Sequence, residues 1–379
     1  MNQPVRRQGD MVHVAPDAMQ RLVTEIFACA GCSRTEAERV ATRLTGANLR
    51  GHDSHGIIRT PRYVQWIEDG RVVPDQSVRI ESDTDTIAIV DGRYGFGQTV
   101  GEQTVDIGIE KAKRHGVAVT ALRNAGHLGR IGDWAERAAA AGVASIHMVN
   151  VRGSLIVAPF GGVDRRGSTS PFCCGIPLAG EEPVILDFAT SLVAEGKALV
   201  ALRGGKPLPD GALVTPDGQL TSDPSPLYGE VAPGRYPDPN NGPGALTCFG
   251  MHKGSGLNFF MEMFAGALTG SGTSAGASDT ERRRFCNGML SIYMALEFFH
   301  SDDWFAREVK DYIAFWKSAR PTEPGGEVLV PGEKERRTMA ARRRDGLPLA
   351  PMTWDDIVAT ARRVGMDEAA IEQALGGRP

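Results

Sequence analysis

The strand-like runs of this chain fall in its middle and helical patterns lie on both sides, which limits the architecture more than any other feature. Val78-Arg79-Ile80 and Thr86-Ile87-Ala88-Ile89-Val90 read as a β-hairpin. Val117 to Leu122, Ala144 to Val149, Val184 to Leu186 and Met289 to Met294 read as further strands, with Gln98 to His115 and Asp133 to Ala141 as helices between them. Before the hairpin, residues 16 to 49 carry two helices. Pro16-Asp17 opens the first, Gly31 closes it, and Ser33-Arg34-Thr35-Glu36 is a capping box for the second. Ser191 to Leu202 and Lys253 to Leu268 read as helices, as do Asp302 to Ser318, Gly332 to Arg344 and Thr353 to Leu375 at the end. The expected fold class is α/β (α+β) with a central mixed sheet. Residues 77–299 form the sheet domain, and segments 1–76 and 300–379 are helical and pack together.

Composition narrows the partners. A net charge of −4 gives no general attraction to nucleic acid or to an anionic membrane, so a small metabolite is expected instead. No stretch approaches the roughly 20 apolar residues that span a bilayer. Met1 to Asp10 is polar and lacks the apolar centre of a signal peptide, so a cytoplasmic protein is expected. Of the six cysteines, Cys29 and Cys32 form a Cys-x-x-Cys pair without a second pair at zinc spacing. They read as reduced thiols, and Cys173-Cys174 as small core residues.

Two polar clusters carry the chemistry. Arg50-Gly51-His52-Asp53-Ser54-His55-Gly56-Ile57-Ile58-Arg59 brings a hydroxyl, two imidazoles, a carboxylate and guanidinium groups into one loop. Thr60 is placed to cap a helix that starts at Pro61 and ends at Gly70. The second cluster, Asn124-Ala125-Gly126-His127-Leu128-Gly129-Arg130-Ile131-Gly132, follows a buried strand, so His127 projects from a strand end. Together they supply what oxidation of an alcohol next to a carboxylate requires. His127 takes the hydroxyl proton; Arg59 holds the carboxylate in a two-pronged fork; Ser54, His55 and Tyr63 add polar contacts to substrate or cofactor.

Other motifs stay open. Gly95-Phe96-Gly97 with Gly101 misses the G-x-G-x-x-G spacing by one place and reads as a tight turn under a closely packed helix. Gly250 to Gly256, with His252, Lys253 and Gly254, suits a pyrophosphate or is a glycine-rich turn with a solvated lysine. Asp187, closing an apolar strand, bonds ribose or substrate, or else caps the next helix. Arg282-Arg283-Arg284 and Arg342-Arg343-Arg344 read as solvated faces.

With these residues in view, the chain resembles the malate/L-lactate dehydrogenase family that lacks a Rossmann domain, from about residue 12 onward. The likeness rests on Arg50 to Gly56, the His127 segment, Ala158-Pro159-Phe160-Gly161-Gly162, Leu186-Asp187-Phe188-Ala189-Thr190, Gly196-Lys197, Thr221-Ser222-Asp223-Pro224, His252-Lys253-Gly254 and Pro331-Gly332-Glu333. Ala47 to Arg50, Gly129 to Gly132 and Ser145-Ile146-His147 look most like its bacterial hydroxycarboxylate dehydrogenase branch. The resemblance implies a homodimer with its active site near the interface, and a largely antiparallel sheet that binds NAD or NADP. It implies His127 as acid/base, with Ser54, His55 and Arg59 near substrate and nicotinamide. For the cofactor it points to His55, Gly129, Arg130, Ile131, Ile185, Leu186, Asp187, Phe188, Ala189, His252, Lys253, Gly254, Asn287, Gly332, Glu333, Lys334 and Glu335. Three departures bear on substrate identity: Thr169-Ser170-Pro171 in place of Thr-Asn-Pro, the pair Cys173-Cys174, and Glu195 where a small or apolar residue is expected.

The expected activity is hydride transfer between NAD(P)H and a small 2-oxo/2-hydroxy carboxylic acid. The runner-up is reduction of a cyclic imino acid of the Δ1-piperideine-2-carboxylate type. A metal-dependent hydrolase using His52, Asp53 and His55 is the reading from another class. Arg50 and Arg59 flank those residues and no further ligand stands at metal spacing, so no metal site is expected. A catalytically silent ligand-binding relative is the last rival.

Overall fold

Alternating buried residues build the centre of the molecule. In the computed structural model, which describes residues 4–202, 207–231, 237–275, 286–299 and 303–376, seven strands make one sheet. In chain order these are β3 (Arg79–Asp83), β4 (Ile87–Asp91), β5 (Val117–Ala125), β6 (Val143–Arg152), β7 (Phe172–Ile176), β8 (Val184–Phe188) and β12 (Cys286–Ala295). Their spatial order is β3-β4-β5-β12-β6-β7-β8. Every pairing is antiparallel except β4 with β5, so the sheet is mixed and largely antiparallel as expected. The parallel pair needs a crossover, and the helix α4 (Gly97–His115) supplies it. Val100, Val105 and Ile109 of α4 pack with Leu122, Trp134, Met289 and Tyr293 in one core. The Gly95–Gly101 segment is the close-packed turn anticipated: a methyl group on Gly101 would lie 2.9 Å from Leu128 Cδ2 and from Trp134 Cζ2.

A second core holds both ends of the chain. The helices α1 (Pro16–Cys29), α2 (Arg34–Leu49) and α3 (Thr60–Glu68) contribute Leu22, Phe27, Val40, Leu44 and Tyr63; the C-terminal helices contribute Ile357, Ala361 and Ile371. Short strands join the same ends, because β2 (Met11–Val14) pairs with both β1 (Val5–Gln8) and β13 (Leu347–Leu349). The sequence reading contained none of these three, nor β7, nor the small sheet of β9 (Leu213–Val214), β10 (Leu220–Thr221) and β11 (Ala245–Leu246).

Several boundaries differ from expectation. The helix expected from Ser191 starts at Glu195, because Ser191 instead bridges to Cys248; this is α6 (Glu195–Leu202). The segment 252–268 is α-helical only to Met261 and then widens to a π-helix, Glu262–Leu268. The last helix divides into Pro351–Arg363 and Glu368–Ala374, with Gly365 at φ +97° between them. Arg282-Arg283-Arg284 lies outside the described residues. Among the described residues no helix is long and apolar enough to cross a membrane.

Candidate active site

His127 stands where β5 ends and the chain turns back, and its backbone is braced on both sides. Gly126 N donates to Gly95 O at 2.8 Å, and Leu128 N donates to Asn287 Oδ1 at 3.0 Å. Gly97 carries no side chain because a methyl there would overlap the His127 carbonyl and lie 2.7 Å from Leu128 Cα. The imidazole meets Tyr63, whose Oη is 2.5 Å from His127 Nδ1, and Gln98 Nε2 donates to the same Oη at 3.2 Å. Tyr63 is 1% exposed. It is buried against the ring of His127, and the hydroxyl expected to contact substrate is directed at Nδ1 of that histidine. Gln98 is a member of this group that the sequence reading lacked.

The polar loop folds as two 3-10 turns, Asp53–His55 and Ile57–Arg59, leading into α3. The His55 ring stacks on that of His127, with centroids 5.6 Å apart and planes 8° from parallel, and Ser54 Oγ lies 3.0 Å from His55 Nδ1. Arg59 Nε donates to Ser54 O at 2.6 Å, and Arg59 Nη2 lies 3.4 Å from Glu195 Oε2. The loop thus gathers Ser54, His55, Arg59 and His127. Thr60 does not cap the helix: its hydroxyl is buried without a hydrogen bond, and Arg59 occupies the cap position.

Burial sets the protonation states. Desolvation, with a further push from Arg59, lowers the His127 pKa from 6.5 to about 3. Desolvation, with a smaller push from neighbouring groups that include Arg59, lowers that of His55 as well. Burial pushes the Tyr63 hydroxyl up to about 12. At neutral pH the site therefore holds two neutral imidazoles and a protonated phenol beside one guanidinium.

His52, Asp53 and His55 do not converge, which removes the ligand set of the hydrolase reading. His52 Nε2 lies 3.5 Å from Glu335 Oε1. Asp53 accepts from Asn48 Nδ2 at 2.6 Å and from both Arg342 terminal nitrogens, at 2.5 and 3.0 Å. Arg342 also donates to Asn48 O. It clamps the loop from the helix Glu333–Asp345, so it is not the solvated residue that its basic run suggested; Arg343 and Arg344 are exposed.

The cofactor-directed residues sort into three places. Arg130, Ile185, Gly332 and Glu335 line a cavity of about 840 Å³ with Arg50, Leu178 and other residues. It reaches neither His127 nor Arg59, but Arg130 and the His52–Glu335 pair run between it and the polar loop. Arg130 is 3% exposed and lies 2.7 Å from Asp133, 2.9 Å from Glu136 and 3.9 Å from Asp187. Burial alone would pull its pKa down, but these carboxylates outweigh it and raise it. Asp187 accepts from Gly132 N at 2.8 Å, at the start of α5 (Gly132–Ala140), so it serves a helix that precedes it in the chain. Burial raises its pKa.

In the second place, the side chain of Phe188 packs on Phe249 at 5.3 Å, just before Gly250 and the exposed His252 and Lys253; Gly254 is buried against Phe249. The third is the interior. Asn287 is 2% exposed and spends its amide on Leu128 N and Asn150 O, while Gly129 and Ile131 are buried. These three brace the site and do not line the cavity. Leu186, Glu333 and Lys334 likewise do not line it: Leu186 and Lys334 are exposed, and Glu333 accepts from Lys317 at 2.5 Å.

Residues 14–358 match the family model described as malate/L-lactate dehydrogenase. The chain is 36% identical to hydroxycarboxylate dehydrogenase B of Escherichia coli K12, over 93% of this chain and 95% of that one. It is 32% identical to an L-lactate dehydrogenase of Cupriavidus necator, over 92% and 96% of the two chains. The malate dehydrogenase structure from Pyrococcus horikoshii superposes with a TM-score of 0.82 at 28% identity, covering 97% of this chain and 99% of that one.

Proposed function

Since the chain belongs to the malate/L-lactate dehydrogenase family, we propose that it interconverts a small 2-hydroxy acid and its 2-oxo acid with NAD or NADP. The observation that carries this reading is the neutral His127, held at Nδ1 by Tyr63 and flanked by Arg59. In the tautomer with Nδ1–H, the ring donates to Tyr63 Oη and Nε2, on the opposite side of the ring, accepts the proton of the substrate hydroxyl. Arg59 holds the substrate carboxylate, and by neutralising Arg59 that carboxylate raises the proton affinity of His127 as the reaction needs it. In the reverse direction the imidazolium returns the proton to the carbonyl oxygen.

A dinucleotide fits the cavity beside Arg130 on three grounds. Its volume of about 840 Å³ lies within the range of about 300–1,000 Å³ usual for small-molecule sites. Arg130 Nε is buried there without a hydrogen bond. Gly332, at φ +91°, keeps the cavity wall free of a side chain, which would stand 2.8 Å from Arg336 Nη1. Arg130, Ile185, Gly332 and Glu335 would hold the group. The cavity does not reach His127, so those residues would hold the part of the group away from the substrate; when bound, the group would accept the hydride that leaves the carbinol carbon.

A homodimer belongs to the same proposal. The helix Trp304–Lys317 buries none of its residues, and Tyr312, Phe315 and Trp316 stand exposed on it, as do Phe259 and Phe260 on the helix His252–Met261. Such apolar surface suits a partner subunit.

The test is a panel of 2-oxo acids and cyclic imino acids, followed by nicotinamide absorbance with NADH and NADPH. Turnover of 2-oxo acids is expected, lost in His127→Ala while dinucleotide binding persists. Full activity in His127→Ala, or turnover of the imines alone, would overturn the assignment.

A further inference from the structure

Arg59, the residue placed to take a substrate carboxylate, already has a carboxylate beside it. Glu195 is the first residue of α6, and that helix is pressed onto the polar loop: a methyl on Gly196 would overlap the Ser54 side chain and lie 3.0 Å from Ser54 Cα. The position of Glu195 is therefore fixed by packing. Tyr228, fully buried, has its Oη 3.2 Å from both Glu195 O and Glu195 Oε1, and Oε2 lies toward Arg59 Nη2 at 3.4 Å. That distance is long for a charge-assisted bond, so Nη2 can still take up a ligand while Nε is held by Ser54 O at 2.6 Å. The Glu195 side chain is 14% exposed. Its charge is thus poorly screened from anything bound next to Arg59.

We propose that Glu195 is a specificity-determining residue that disfavours substrates with a second negative charge. The proposal rests on the 2-hydroxy acid reading above. The first substrate carboxylate has Arg59 to neutralise it. A second one, a few bonds away in a small diacid, would face Glu195 within the same pocket. The neighbouring cations do not relieve it. Arg130 is enclosed by Asp133, Glu136 and Asp187. Lys197 is exposed and, two positions further along α6, points away from Glu195. A neutral or hydrogen-bond-donating group at that end meets no such repulsion and can donate to Glu195.

The experiment compares malate with its distal amide, 2-hydroxysuccinamate, which has nearly the same size but one charge fewer. kcat/KM is measured for both with the wild type and with Glu195→Gln, which keeps the side-chain shape and an acceptor for Tyr228. The wild type is expected to favour the amide by on the order of tenfold, and Glu195→Gln to remove most of that preference through the KM of malate. A wild type that prefers malate, or the same ratio in both proteins, overturns the proposal while leaving the dehydrogenase reading intact. A panel in which no 2-hydroxy acid is turned over with either nucleotide overturns both.

Discussion

Tyr63 Oη lies 2.5 Å from His127 Nδ1, so a fully buried phenol in α3 fixes the ring at the end of β5. Gln98 Nε2 donates to that Oη and holds it in turn. Tyr63→Phe removes the hydroxyl and leaves the ring packing with Phe27 and Phe96 in place. The expected loss is about tenfold or more in kcat, a share of the 10²–10⁴ that general acid–base catalysis supplies, with KM little changed. Stopped-flow and steady-state kinetics check it. A variant with unchanged kcat would mean that the Tyr63 bond does not set the orientation of His127.

Acid should weaken the fold early. Burial lowers the pKa of His127 and His147 from 6.5 to about 3, and lowers that of His55. Below 6.5 the unfolded chain binds protons at these imidazoles that the native protein does not. Their contribution is thus complete above pH 6.5 and is lost as pH falls toward 3, at about 1.4 kcal/mol per unit per group. The carboxyls of Glu36, Asp187 and Glu262 are raised by burial and act in the opposite direction at the acid end, so the decline is clearest just below pH 6.5. Urea midpoints measured downward from pH 7.5 should fall through this window. A flat midpoint would show that the buried rings are protonated in place.

The clamp from Arg342 to Asp53 holds the polar loop against the helix Glu333–Asp345, which also lines the cavity beside Arg130. Arg342→Lys keeps the charge and loses the fork. With the Asp53 side chain 48% exposed, the stability cost is expected to be only about 1 kcal/mol. The larger effect should be a rise in the KM of both substrate and nucleotide, because the loop and the cavity wall lose their common anchor. Arg343→Lys, on the exposed neighbour, is the control and should change neither. Equal behaviour of the two variants would reduce the clamp to a surface ion pair.

That clamp also shows where the sequence stops being readable. Arg342 and Asp53 are 289 positions apart, and nothing local distinguishes Arg342 from the two arginines after it. The polar loop and the His127 turn were legible because their residue types are dense within ten positions and glycine-punctuated. Strands such as β4, β5 and β6 were legible because they carry buried β-branched residues, whereas β7, Phe172-Cys173-Cys174-Gly175-Ile176, has only one and was not. The strands that join the chain ends are short, and β1 carries Arg6, Arg7 and Gln8, so no periodicity marked them. The sequence places Tyr63 near Arg59 but cannot give the rotation of α3, so its bond to His127 was not legible. Ser33-Arg34-Thr35-Glu36 was half right: Ser33 Oγ accepts from Glu36 N at 3.3 Å, while the Glu36 carboxylate turns away to accept from Thr99 Oγ1 at 2.7 Å and from Asp75 N.

Gly97 offers the most local test of how the His127 turn is supported. The start of α4 lies against the backbone of residues 127 and 128, and a methyl at 97 meets main-chain atoms that cannot rotate away. Gly97→Ala must therefore displace either the helix start or the His127 turn. Overpacking of this kind costs about 1–3 kcal/mol. If the helix moves, stability falls and kcat in the surviving protein stays near normal; if the turn moves, kcat falls as well because His127 leaves Tyr63. The second outcome is expected. The turn hangs from single hydrogen bonds at Gly126 and Leu128, whereas α4 is anchored along its length by Val100, Val105 and Ile109. Parallel measurement of the melting temperature and of kcat separates the two, and a variant as stable and as active as the parent would show that the close approach at Gly97 carries no strain.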